Sequence, residues 1–213
     1  MKKKLTENGS DDSLLIEEAA AGNQRALNEL FERDRVRLKK MVRMRLNSRL
    51  QGRVDDSDVL QEAYLDAARR LPEYLEKSDA PFFLWLRLIV SRKLIDVHRQ
   101  HLGAHARDAR LEVRLHRSPM PMASSISMAD QLIGHVTSPS QAAIKAERRV
   151  ALQEALEQLS DKDREILSMR NYEDMSNQET ACELGIEESA ASKRYLRALE
   201  RLQKTLVELG VVE

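Results

Sequence analysis

The sequence predicts an all-α protein made of two helical domains, a helical bundle and a helix-turn-helix, joined by a flexible linker. Three observations carry this reading. Apolar residues recur at helical spacing through most of the 213 residues. Turn formers are scarce, with seven Gly and five Pro, and aromatic residues make up only 4%. After the first eleven residues, the helical period dissolves between about Gly103 and Ser140, which separates two ordered segments. With 42% hydrophobic and 33% charged residues, the chain can build a core and stay soluble.

Residues 1–11 are polar, charged and without periodicity, and are expected to be disordered. A first helix is expected after Asp12 or Ser13, ending at Gly22. Asn23 suits the cap of the next helix, which runs from Gln24 to about Leu50. Leu27, Leu30, Phe31, Leu38, Met41, Val42 and Leu46 form its apolar stripe. Its later half is basic: Arg33 through Arg53 holds nine cations against Asp34 alone. The sign then reverses, with eight anions and three cations in Asp55–Asp79. Val59, Leu60, Ala63, Tyr64 and Ala67 supply the buried stripe there, and Pro72 marks a boundary or kink.

Pro81 stands near the start of a further helix, where its missing N–H does no harm. In that helix Phe82, Trp85, Leu86, Ile89, Val90 and Leu94 are expected in the core, with Arg87, Arg92, Lys93, His98 and Arg99 facing outward. The first domain therefore spans residues 12–102. Residues 103–140 read as the linker, with short helical turns near Asp108–His116. Ser138 and Pro139 restart order, and the second domain spans 141–213. Its first helix carries Ile144, Val150, Leu152, Ala155, Leu156 and Leu159; Ser160 caps the next, which carries Ile166, Leu167 and Met169. No internal repeat is present.

The stretch Ser176–Leu202 holds the most information. Ser176 and Glu179 form a capping box that opens a short helix. Gly185 ends it, because glycine adopts the left-handed backbone without steric cost, and Ile186 is an apolar plug before the next helix. That next helix presents Ser189, Lys193, Arg194, Arg197, Arg201 and Lys204. Ser160–Glu188 carries three cations and nine anions, whereas Ser189–Lys204 carries five cations and one anion. A short acidic helix, a tight turn and a basic second helix make a helix-turn-helix that suits a major groove.

Other chemistry is not indicated. There is no phosphate-binding glycine motif and no zinc-ligand spacing, so neither an enzyme site nor a cofactor is expected. His98, His101 and His105 share a helical spacing but lack supporting ligands, so no metal is expected there. Asp55, Asp56, Asp58 and Glu62 sit at a polar helix entry with no nucleophile nearby, which favours capping or a protein contact. Cys182 is the lone cysteine and suits a reducing cytosol; it is expected as a small buried residue. No apolar run is long enough to cross a membrane, and the charged start MKKKLTENGSDDS lacks the apolar segment of a signal peptide.

Three blocks, in order, resemble the extracytoplasmic-function (ECF) sigma factors of the sigma-70 family. Asp58-Val-Leu-Gln-Glu62 is similar to the D-[LV]-x-Q-[ED] segment of region 2.2. Trp85-Leu86 with Arg92, Asp96 and Arg99 is similar to the pattern of regions 2.3–2.4, although Ser91 or Arg92 stands near the usual Asn. Gly185-Ile186 through Arg194, Arg197, Ala198 and Leu202 is similar to region 4.2, with Ala190 and Ala191 for the common Thr-Val and Lys193 for the common Ser. The phosphate contact of that Thr does not carry over to an alanine.

The resemblance implies a region 2-like bundle and a region 4-like helix-turn-helix. It implies as partners core RNA polymerase, through its β′ and β subunits, promoter DNA and an anti-sigma factor, in the bacterial cytoplasm with no membrane insertion. Asp58, Gln61 and Glu62 would contact the β′ clamp helices. The loop Glu76–Pro81 would capture a flipped minus-ten base, and Arg87, Arg92, Lys93, Asp96, His98 and Arg99 would hold the opened strand. Ser189, Lys193, Arg194, Arg197 and Arg201 would read the minus-thirty-five duplex. The linker would thread toward the RNA exit path. The alternative is a helix-turn-helix regulator that binds duplex DNA without core polymerase; it explains Ser176–Leu202 but not the other two blocks.

Overall fold

Helix caps and apolar stripes account for most of the architecture. The computed structural model describes residues 8–46, 50, 52–78, 80–102, 122–133 and 139–211, and every regular element among them is an α-helix. The N-terminal module holds α1 (Asn8–Ala20), α2 (Gln24–Arg45), α3 (Asp56–Lys77) and α4 (Phe82–Leu102). After α5 (Ser125–Ile133) come α6 (Pro139–Gln158), α7 (Asp161–Asn171), α8 (Asn177–Leu184) and α9 (Glu188–Glu208).

In the N-terminal module the side-chain oxygen of Asn23 accepts from the N–H groups of Arg25 and Ala26, at 3.1 and 3.4 Å, and starts α2. Asp55 starts α3 by accepting from Ser57 N at 2.8 Å. These bonds satisfy donors that a helix start leaves open. The expected stripes then meet: Leu30, Leu38, Met41 and Val42 of α2, Leu60, Ala63 and Leu71 of α3, and Leu86, Val90 and Leu94 of α4 are all buried in one core. Tyr74, Phe82 and Trp85 close its end, with ring centroids 4.8–5.6 Å apart.

Four expectations need correction. Helix α1 begins at Asn8, inside the stretch expected to be disordered; residues 1–7 lie outside the described residues. Helix α2 ends at Arg45, short of Leu50. Pro72 does not end α3, which continues to Lys77. Buried Leu71 and Tyr74 on either side hold that turn in place and outweigh the lost backbone bond. Val150 is 65% exposed and not part of the α6 stripe.

The linker differs most. Its expected turns at Asp108–His116 lie outside the described residues, but its later part forms α5, which packs on α2 and α6. Ser124 N donates to Met44 O at 2.9 Å, and Tyr172 Oη donates to Met128 O at 3.1 Å. Met128 and Ala129 are fully buried. Nine residues carry too short a period to announce a helix whose stability comes from tertiary packing.

The two modules are docked on one another. Met44 of α2 lies in the C-terminal core with Leu156, Ile166 and Leu167, while Met169 and Met175 lie against the N-terminal core. Leu38→Ala, at a position with no exposure, is expected to cost about 2–5 kcal/mol. A urea titration followed by circular dichroism checks this; a loss below about 1 kcal/mol would show that the site collapses around the deletion.

Candidate nucleic-acid interface

The C-terminal hairpin is built as its sequence foretells. Ser176 Oγ accepts from Glu179 N at 3.0 Å, and Glu179 Oε2 accepts from Ser176 N at 2.7 Å, which completes the capping box of α8. Gly185 ends α8 at φ 62°, and Ile186 N donates back to Ala181 O at 3.0 Å. Asn177 Nδ2 reaches Glu188 O at 2.9 Å and ties the start of α8 to that of α9. Ala191 and Ala198, both fully buried, let α9 lie close against α7 and α8.

The outer side of α9 is cationic. Ser189, Lys193 and Arg197 are exposed at successive steps of four, and Arg194 is half-buried beside them. Ser160, Lys162, Asp163, Lys193, Arg194 and Arg197 line an open groove of about 410 Å³. Arg201 belongs to the same groove but donates to Asp163 Oδ2 at 2.6 Å. Its charge is spent on joining α9 to the start of α7.

Helix α3 presents an acidic ridge. Asp58, Gln61 and Glu62, three and four residues apart, are exposed on one face. Asp56 is turned inward, paired with Lys39 at 3.3 Å and with Arg43. On α4, Arg92, Asp96 and Arg99 are exposed at helical spacing. Lys93 is half-buried and pairs with Asp66 at 3.1 Å and Glu62 at 3.8 Å. Its partner Asp66 is held below the usual carboxylate range: slight burial works the other way, but Lys93 and Arg69 outweigh it. His98 is half-buried, and burial lowers its pKa, so the neutral ring is favoured.

Arg87 does not face outward. It is 1% exposed and lies between the modules. Its Nε donates to Glu173 Oε2 at 2.8 Å, and its Nη1 to Glu183 Oε1 at 2.5 Å. Arg45 enters the same cluster, with Nη2 on Glu173 Oε1 at 2.5 Å and a two-pronged contact to Glu165 at 3.0 and 2.9 Å. Ser168 Oγ adds a donor to Glu173 at 3.2 Å. Around this centre Arg37 reaches Glu179 at 2.8 Å and Lys40 reaches Asp174 at 2.5 Å. Asp174 has φ 51°, a left-handed conformation that Asp tolerates better than most residues. Ala123 N donates to Glu165 Oε1 at 3.1 Å and fastens the connector to the cluster.

This cluster was not among the sequence candidates. The signal was the alternation of charge, a basic α2 followed far along the chain by an acidic α7–α8. Burial by itself would push the Glu173 carboxyl up, but Arg45 and Arg87 outweigh it and bring it down to about 2. Arg45 is likewise disfavoured by burial and raised overall by Glu165 and Glu173. Cys182, expected to be buried, is exposed on α8. His105 lies outside the described residues, and among the described residues no group of His, Cys, Asp and Glu is arranged to hold a metal. Among them no helix is long and apolar enough to cross a membrane.

A helical bundle with an acidic ridge, followed by a helix-turn-helix with a cationic recognition helix, defines a DNA-binding protein of transcription. Residues 149–202 match the family Sigma-70, region 4. The chain is 31% identical over 206 residues to the ECF RNA polymerase sigma factor SigD of Mycobacterium tuberculosis, covering 97% of this chain and 89% of that protein. It is 23% identical over 205 residues to the RNA polymerase sigma-H factor of Pseudomonas aeruginosa, covering 93% and 95%. The solved structure of CnrH in complex with the cytosolic domain of CnrY matches with a TM-score of 0.54 at 25% identity, covering 92% of this chain and 97% of that one. The chain belongs to the ECF family of RNA polymerase sigma factors. The likeness runs through the N-terminal module as well as the hairpin, which a regulator acting without polymerase leaves unexplained.

The charge state of Glu173 gives a pH prediction. A carboxyl lowered in the folded state stabilises that state fully above its ordinary value of 4.5, and the contribution is lost as pH falls toward about 2. Acid titration followed by circular dichroism should therefore show stability falling below about pH 4.5, with a shallower fall in Glu173→Gln; identical profiles would contradict the buried ion pairs. Gly185→Ala places a Cβ in left-handed backbone with nothing within 4 Å, so the cost is conformational, about 1–2 kcal/mol. A thermal melt unchanged from the parent would mean that the turn adopts another conformation.

Proposed function

We propose that the two modules divide promoter recognition between them while α3 holds core RNA polymerase. The observation that carries this reading is the exposure of one chemically distinct face per module: the acidic Asp58–Gln61–Glu62 ridge and the cationic Lys193–Arg194–Arg197 groove. Asp58, Gln61 and Glu62 contact the β′ subunit. Arg92, Asp96 and Arg99 are the accessible minus-ten residues of α4. Lys93 and His98 serve that strand less directly, the first held by two carboxylates and the second favouring its neutral form. Ser189, Lys193, Arg194 and Arg197 face the minus-thirty-five duplex, where cations fix register on phosphates and a bidentate arginine reads a base edge. Arg201 supports that surface through Asp163.

The chain acts by binding, in the cytoplasm, with no catalytic step of its own. An anti-sigma factor is its further partner; the complex of CnrH with the cytosolic domain of CnrY supports a protein partner for this fold.

Reversing charge at both Asp58 and Glu62 to Arg is expected to weaken association with core polymerase by tenfold or more, about 1.4 kcal/mol, with helicity preserved; unchanged affinity in fluorescence titration removes the ridge from the interface. Arg194→Ala should weaken binding of the holoenzyme to an upstream-element duplex by about 1–3 kcal/mol. Gel shifts and run-off transcription that show no loss would remove Arg194 from the recognition set.

A further inference from the structure

We propose that α9 carries a self-association seam: the exposed stripe of Leu196, Leu199 and Val207 receives the same stripe of a second copy of this chain, antiparallel, in a weak dimer that covers the cationic groove. Three large apolar residues of this one helix stand open to solvent, Leu196 at 56%, Leu199 at 36% and Val207 at 47%. They are not scattered. Leu196, Leu199, the exposed Gln203 and Val207 follow at steps of three, four and four, the spacing of a helix-pairing seam. The fold itself uses the other side of the helix. Ala191 and Ala198 are fully buried there, and Leu202 and Leu206 pack on the C-terminal core. Helix α9 thus has two apolar sides, and only one of them is covered within the described residues.

Charge selects the occupant and its direction. The early part of the exposed side carries Lys193 and Arg197; Glu200, Lys204 and Glu208 follow. A parallel pair would set Lys193 and Arg197 level with their own copies, and charges flanking a seam decide its orientation. In the antiparallel pair a twofold axis lies midway between Leu196 and Val207. Leu196 then meets Val207 of the second copy, Leu199 lies beside its Leu206, and Glu200 beside its Lys204. Symmetry repeats each contact and closes the assembly at two chains. Lys204 can make this exchange at little cost: its own pair with Glu208 spans 3.8 Å, with both side chains largely exposed. A single seam falls in the class of transient contacts, which bury less than about 1,200 Å² in total. The dimer is therefore weak and the dilute chain is monomeric. Lys193 and Arg197 border the seam and line the groove. A second helix packed roughly 8–10 Å away stands where a duplex would approach, so self-association and duplex binding oppose each other.

That opposition rests on the promoter reading above; the self-association does not. The test is sedimentation velocity of the full chain over a concentration series, in a Cys182→Ser background that excludes disulfide dimers. The parent should shift from monomer to dimer as concentration rises. Val207→Asp should weaken the dimer at least tenfold, about 1.4 kcal/mol, and so should Glu200→Lys. Glu200→Lys combined with Lys204→Glu should restore it, a rescue that a change in folding would not produce. Circular dichroism confirms that each variant is folded. A parent that stays monomeric throughout overturns the proposal, and if Val207→Asp then also loses core-polymerase affinity, the seam belongs to the polymerase instead. A dimer indifferent to both single variants lies elsewhere on the chain, and failure of the charge exchange to rescue overturns the antiparallel pairing. A mixed-sequence DNA duplex at low salt should dissolve the parent dimer; a dimer that binds it intact overturns the competition. If the monomeric Val207→Asp variant binds no duplex, the promoter reading fails and the sedimentation result stands.

Discussion

One carboxylate, Glu173, organises the relation between the two halves of the protein. It is fully buried, sits in the turn that leads to the helix-turn-helix, and accepts from Arg45, Arg87 and Ser168. An isolated buried carboxylate is too costly to keep ionised. It stays charged because two arginines from the other module reach it, and those arginines stay buried because carboxylates from the hairpin reach them. Neither half satisfies its charges alone in this arrangement. The position of α7 on α2, the seating of α5 across the joint and the concealment of Arg87 all follow from that mutual requirement.

The same logic separates what is spent inside the molecule from what is left for partners. Cations that find carboxylates, Arg37, Arg45, Arg87 and Arg201, fix the fold. Lys193 and Arg197 stand exposed on α9, and Arg92 and Arg99 on α4. With a formal net charge of zero, the chain can bind a polyanion only by sorting its charges in this way. The acidic ridge of α3 is sorted likewise: Asp56 is paired inward, while Asp58 and Glu62 remain outside.

Much of this was legible in the sequence because it depends on local chemistry. Asn23, Ser160 and Ser176 cap where expected, Asp55 supplies the cap among four carboxylates read as capping or contact residues, and Gly185 turns where only a residue tolerant of positive φ fits well. The stripes of α2, α3 and α4 found the core because helical periodicity is read directly from spacing. What was missed depends on contacts between distant segments. Arg87 has the local pattern of an outward cation, and Glu173 and Glu183, 86 and 96 residues away, turn it inward. Helix α5 has too few residues to reveal itself without α2 and α6 to pack on. Cys182 looked like a core residue by type, but it is exposed on α8. The opposite charges of α2 and α7–α8 were visible; that they meet was not, because complementary charge says nothing of distance.

Small-angle X-ray scattering of the free full-length chain is the most direct test of the docked arrangement. At physiological salt a single compact particle is expected, with a radius of gyration of ~17 Å, the value for a globular chain of 213 residues. A two-lobed pair-distance distribution with a markedly larger radius, unchanged between parent and Glu173→Gln, would contradict it.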